Sequence, residues 1–150
     1  MPAMYKHLLV PIDGSELSER AADSSVALAH KLGARITAFV AEPFPPMPHM
    51  GSHASTYSRE TDAHAARTEA HAQDALNRFR ARAAELDVPF EGRFTRTDEV
   101  DEAIVSIAQE AGCDLIVMVT HGRGAFGELM FGSHTKNVIA RSKLPLLVLH

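Results

Sequence analysis

Residues 114–133 read DLIVMVTHGRGAFGELMFGS. The stretch opens on Asp114 and a solid apolar run, Leu115-Ile116-Val117-Met118-Val119, and then turns polar and glycine-rich at Thr120-His121-Gly122-Arg123-Gly124. It closes on Gly132-Ser133, ahead of a segment with helical character. A buried strand, a glycine loop and a serine at a helix start make a setting suited to phosphate. Backbone N–H groups of such a loop and of a helix N-terminus can converge on one anion.

Working outward, the same alternation recurs. Upstream, Val100, Ala103, Ile104, Ile107, Ala108 and Ala111 follow helical spacing, with Asp98 placed to cap the start and Gly112 to end it. Before that helix, Val88, Phe90, Gly92 and Phe94 alternate with polar residues, which predicts a strand exposed on one face and therefore at a sheet edge. An apolar stripe of Ala65, Ala72, Ala75, Leu76, Phe79, Ala83 and Leu86 predicts a long amphipathic helix over about residues 61–86. Residues 44–58 contain Pro45, Pro46, Pro48 and Gly51, which predicts a loop long enough to act as a lid or to be disordered. Residues 35–41 (RITAFVA) and 6–12 (KHLLVPI) read as buried strands. Between them lies a helix whose apolar side is expected to hold Leu17, Ala21, Leu28 and Leu32, capped by Ser15 or Ser18 and stopped by Gly33. Downstream of the opening stretch come a short helix over residues 133–141 and a terminal strand after Pro145.

The order β-α-β-α-β-α-β-α-β predicts an α/β fold in a single domain over residues 1–150: a doubly wound parallel sheet of five strands with helices on both faces. The last strand, Leu146-Leu147-Val148-Leu149, is apolar on both faces. At an edge it would be a liability unless covered, so self-association through it, giving a homodimer, is expected.

Composition narrows the function classes. At 150 residues the chain suits one domain with a continuous core, and 45% hydrophobic with 23% charged residues is ordinary for a globular protein. A net charge of -4 provides no general attraction to nucleic acid or anionic membranes, so neither is expected as a partner. No run approaches the roughly 20 apolar residues of a membrane span, and the opening MPAMYKHLLVPIDG does not read as a secretory signal. The lone Cys113 excludes an internal disulfide and is expected to be an inert core thiol. A cytoplasmic location is the resulting expectation.

In a doubly wound sheet, ligands bind beyond the carboxyl ends of the strands where strand order reverses. Two loops suit that place: Pro11-Ile12-Asp13-Gly14-Ser15 and residues 120–133. Asp13 is suited to bond a ribose hydroxyl or to help hold magnesium. Gly122 would let backbone approach a phosphate, and Gly132-Ser133 would present amides and a hydroxyl at a helix start. Each has a blander role: Asp13 bonding turn amides, Ser133 a plain N-cap, the glycines serving turns. Gly122-Arg123-Gly124-Ala125-Phe126-Gly127 matches the dinucleotide fingerprint GxGxxG by letter. That fingerprint requires a further strand and an acidic residue about 20 positions on. Here that region is Pro145 to His150, with no acid, so the dinucleotide reading is rejected.

Taken together, the opening LLVPIDGS, the central DLIVMVTHGRG, the GS before the last helix and the closing SKLPLLVL resemble a universal stress protein domain over essentially the whole chain. The resemblance implies strand order 3-2-1-4-5 and a homodimer. One branch of that family binds ATP through G-x2-G-x9-G-[ST]. Gly122 and Gly132-Ser133 match its later part, whereas Val119 stands at its first glycine. The resemblance further implies that Asp13 contacts ribose and that the backbones of Val40 and Met118 flank adenine, with ATP or AMP as ligand and magnesium reached through the nucleotide. A Val119 side chain directed away from the pocket would leave binding intact; one directed into it would weaken or abolish it. Pro11, Arg123 and His134 complete the expected nucleotide-binding set, Arg123 as the anion partner of permanent charge.

His49, His53, His64 and His71 invite a metal reading. His64 and His71, seven residues apart, stand about 10.5 Å apart along a helix and cannot chelate one ion together. A solvated, mobile segment is the expectation for them, and no metal site is assigned. Three function classes follow: a nucleotide-binding regulatory protein, a nucleotide-free interaction protein of the same fold, and a slow ATPase. No convincing general base accompanies the phosphate loop, so the expected protein is not an enzyme.

Overall fold

Strands and helices alternate through the residues that the computed structural model describes, 4–45, 54–119 and 133–149. They run β1 (His7–Pro11), α1 (Glu16–Leu32), β2 (Arg35–Glu42), α2 (Ala54–Glu85), β3 (Phe90–Arg96), α3 (Val100–Ala111), β4 (Leu115–Val119), α4 (Ser133–Arg141) and β5 (Leu146–Leu149). The five strands form one parallel sheet in the order β3-β2-β1-β4-β5. β1 and β4 are thus neighbours, and the order reverses between them.

Alternation along the strands divides the core into two layers. Leu8, Val10, Ile36, Ala38, Val40, Leu115 and Val117 pack with Val26 and Ala29 of α1 and Leu76 and Phe79 of α2. Leu9, Phe39, Ile116 and Met118 face the other way, onto Ile104 and Ala108 of α3 and Val138 of α4. Both layers exclude water, and their apolar burial is the main term holding helices to sheet. As expected, β3 and β5 occupy the edges.

Several local expectations are corrected. α2 begins at Ala54 rather than near residue 61, taking over the end of the expected loop; residues 46–53 lie outside the described residues. Extending a helix is far less costly than nucleating one, and no Gly or Pro occurs between Gly51 and Pro89 to oppose it. The buried side of α1 is Ser18, Ala21, Ala22, Ser25, Val26 and Ala29, with Leu17, Leu28 and Leu32 only partly buried. Small side chains let this helix approach the sheet closely, which displaces the larger leucines to its margins. Leu86, expected in the α2 stripe, is 40% exposed because it lies past the end of the helix. Val88 is buried ahead of β3, which starts at Phe90 after Pro89.

Asp98 does not cap α3. Its Oδ1 accepts from the Phe44 N–H at 3.1 Å, so its carboxylate anchors the chain leaving β2. Glu99 holds the N-cap position without a side-chain capping bond. The helix stops fit: Gly33 and Gly112 both adopt the left-handed conformation and donate back to the last turn.

Candidate functional site

The end of β1 turns sharply into α1, and its geometry follows from three small polar residues. Ser15 is the N-cap of α1, its Oγ accepting from the Ser18 N–H at 3.2 Å. Ser18 in turn accepts from the Asp13 N–H at 3.1 Å. Asp13 Oδ1 accepts from the Ser15 N–H at 2.9 Å, closing an Asx turn. Of the two capping candidates Ser15 is the cap, and Ser18, inside the helix, instead accepts from the turn. Asp13 fills the turn-bonding role and remains exposed to solvent.

Beyond this turn, at the carboxyl ends of β1, β2 and β4, lies an open cleft of about 270 Å³. Ile12, Phe39, Met118 and Ile104 give it an apolar floor, and Asp13, Ser15, Ser18 and Thr135 a polar rim. Phe39 and Ile104 are 1% exposed and Met118 5%, so the floor is already part of the packed core and needs little ordering to receive a ligand. Leu17 and Ser18 bring the first turn of α1 to the cleft, and Thr135 the first turn of α4. Unpaired N–H groups at such turns favour negative charge nearby.

Of the residues expected in the site, Pro11, Asp13, Met118 and Val119 all line this cleft. The expectation for Val40 concerns its backbone; its side chain packs in the α1/α2 layer, and its neighbours Phe39 and Ala41 line the cleft. Gly122, Arg123 and Gly132 lie outside the described residues, as do the side chains of Ser133 and His134.

Val119 borders two spaces, the cleft and a hollow lined by Leu17, Arg20, Ala21, Ser24 and Leu149 on the α1 side. Strand alternation assigns its side chain. Leu115 and Val117 face α1 and α2, whereas Ile116 and Met118 face α3 and α4. Val119 continues the first series and pairs in register with Leu149, which packs on the same layer. Alternation therefore assigns the side chain to the α1 face, opposite to Met118 on the cleft floor.

Sequence reasoning missed Phe39, Ala41, Ile104 and Thr135 as cleft residues. Period-two alternation says which residues share a face of β2 but not which face meets the ligand. It also missed His71, whose ring reaches the Asp13–Gly14 turn from α2. No sequence signal links residues 58 positions apart. The expectation of a merely solvated segment is corrected for this residue: His71 is exposed but bonded. No group of three or more His, Cys, Asp or Glu among the described residues is arranged to hold a metal; His49 and His53 lie outside them. No helix among the described residues is long and apolar enough to cross a membrane.

Comparison with known proteins gives one consistent picture. The model of the universal stress protein family matches residues 4–150. The universal stress protein in the QAH/OAS sulfhydrylase 3′ region of Thermus aquaticus is 32% identical over 154 residues, covering 97% of this chain and 98% of that protein. Among solved structures, a universal stress protein family member from Burkholderia pseudomallei superposes with a TM-score of 0.73 at 26% identity, covering 98% of this chain and 97% of that one. A universal stress protein solved in complex with cAMP gives a TM-score of 0.69 at 25% identity, covering 97% of each chain.

Proposed function

The chain belongs to the universal stress protein family, and we propose that it is a regulatory member that binds ATP or AMP where β1 and β4 end. The observation that carries this reading is the direction of Val119. The family's nucleotide motif has glycine at that position, and a β-branched side chain inside the cleft would oppose binding. Strand alternation and the pairing with Leu149 assign that side chain to the α1 face, which supports a cleft open to a nucleotide at this point. The apolar floor suits a purine ring, and the polar rim with two helix starts suits ribose and phosphate. The solved relative in complex with cAMP supports the same ligand class. Gly122, Gly132 and Ser133 supply the phosphate end in this reading, with Arg123 and His134 beside them. Magnesium enters only through the nucleotide, with Asp13 nearby.

The reading assigns no catalysis. Asp13 is the one titratable side chain among the described residues lining the cleft, and its carboxylate already accepts a turn amide. The bound nucleotide acts by biasing conformation or partners. A homodimer through β5 and a cytoplasmic setting complete the proposal; the lone buried Cys113 suits a reducing compartment.

Titration calorimetry with AMP and ATP, with and without magnesium, tests it. Saturable binding is expected, and no heat at millimolar nucleotide would leave the nucleotide-free interaction protein as the surviving reading. Val119→Gly is expected to leave affinity equal or higher while lowering stability by about 1–2 kcal/mol, from the lost side-chain packing and the glycine in a strand. A clear loss of affinity would mean that the motif correspondence is wrong.

A further inference from the structure

The carbonyl of Asp13 is held from outside its own turn. His71, on α2, has Nε2 3.0 Å from that oxygen. A carbonyl only accepts, so Nε2 carries the hydrogen and donates it. The same ring covers Gly14: a Cβ there would lie 2.6 Å from Nε2 and 2.8 Å from Cε1. Gly14 also has φ of +80°. Glycine is therefore required twice, by the backbone conformation and by the imidazole above it.

The bonds that tie the turn differ in kind. The bonds from Asp13 N to Ser18 and from Ser15 N to Asp13 are local, closed within five residues. The bond from His71 comes from the helix on the far side of β2 in the chain, 58 residues on. His71 is exposed, next to Ala72 at the margin of the buried stripe of α2, so its ring contributes little to the core. Its contact is with the turn, not with the sheet.

We infer that His71 is a positioning residue that holds the turn over residues 13–15 and couples α2 to occupancy of the cleft. This rests on the nucleotide reading above. The Asp13–Gly14 peptide leads into the one glycine of the turn, and His71 holds it at the carbonyl. Without that bond the Asp13 carbonyl is held by nothing outside the turn, and whatever further ordering a ligand requires there is taken from its binding free energy. Coupling is reciprocal, so a nucleotide that orders the turn tightens the hold of α2 on it by the same factor.

The test compares His71→Ala and His71→Gln in the full chain, with AMP affinity by calorimetry and thermal unfolding alongside. Loss of one hydrogen bond corresponds to AMP binding roughly three- to tenfold weaker in His71→Ala. Glutamine, whose amide nitrogen stands near the position of Nε2, is expected to restore most of that loss at a comparable melting temperature. If the wild type binds AMP and His71→Ala binds it equally well, the inference is overturned and the nucleotide reading stands. If the two variants lose affinity alike and melt alike at a lower temperature, the role is structural and the inference is overturned. If the wild type binds neither AMP nor ATP, the nucleotide reading falls and the coupling with it. The tie itself is then decided without ligand, by Gly14→Ala in the wild type and in His71→Ala. Removing the imidazole leaves only backbone strain against the new methyl group, so Gly14→Ala is expected to destabilise His71→Ala less than the wild type. Equal destabilisation in both would overturn the tie.

Discussion

His7 stands at the other end of β1 from the cleft and is 6% exposed. Its Nδ1 accepts from Arg35 Nε at 3.3 Å, so the neutral ring carries its hydrogen on Nε2, 2.7 Å from Thr37 Oγ1. Burial, and then the charge of Arg35, hold this imidazole below its ordinary value of 6.5. Protonation would also set a second N–H against that of Arg35. The unfolded chain takes up a proton near pH 6.5 while folded His7 stays neutral, so the unfolded state gains as pH drops. The contribution is therefore complete above that pH and declines as pH falls toward the lower folded value. Urea midpoints are expected to fall between about pH 7.5 and about pH 5.5, and to fall less in His7→Gln. An identical drop in the variant would assign the titration to other groups. Cys113, close by, is buried, which pushes its thiol up to about 11 and keeps it protonated at neutral pH. The inert character of Cys113 was legible from its place beside an apolar run. The bonds of His7 were not, because they join residues 28 and 30 positions apart across neighbouring strands.

At the scale of elements, α1 and α2 lie side by side on one face of the sheet, and charge joins them. Glu19 of α1 meets Arg78 at 2.9 Å and also pairs with Arg82, while Asp23 meets Arg82 at 3.0 Å. Burial opposes ionisation of Glu19, but the hydrogen bonds from Arg78 and Arg82 outweigh it and hold the carboxyl below its usual range. A double-mutant cycle on Glu19→Ala and Arg82→Ala is expected to give a coupling of about 0.5–1 kcal/mol that shrinks in high salt. A coupling near zero would mean that apolar packing alone joins the two helices. The apolar stripe of α2 was legible at Ala72, Ala75, Leu76, Phe79 and Ala83 because large and small apolar residues there repeat at one helical period. That of α1 was only partly legible: Leu17, Leu28 and Leu32 look like the core, yet alanine and serine occupy it. Asp98 illustrates a different limit. An aspartate before a helix suits an N-cap or a loop anchor equally, and the Phe44 amide decides for the second.

At the scale of the whole molecule, the sheet ends on β5 with its outer edge unpaired among the described residues. Leu147 on that strand is 36% exposed and Ile139 on α4 51%. Pairing of two such edges would satisfy backbone groups and cover Leu147. Leu147→Lys is expected to convert a dimer into monomers in sedimentation experiments; an unchanged dimer would place the interface elsewhere. By itself the sequence determined the number and order of the elements, the edge character of β3, and the loops suited to the carboxyl ends of β1 and β4. All of these follow from local periodicity and turn chemistry, which are carried by residues close together in the chain. Only the tertiary structure decided which face of the sheet the Val119 side chain takes, that Phe39 lines the cleft, and that His71 closes over Gly14. Each depends on which face of the sheet a given helix covers. That is set by packing between segments far apart in sequence, where local patterns carry no information.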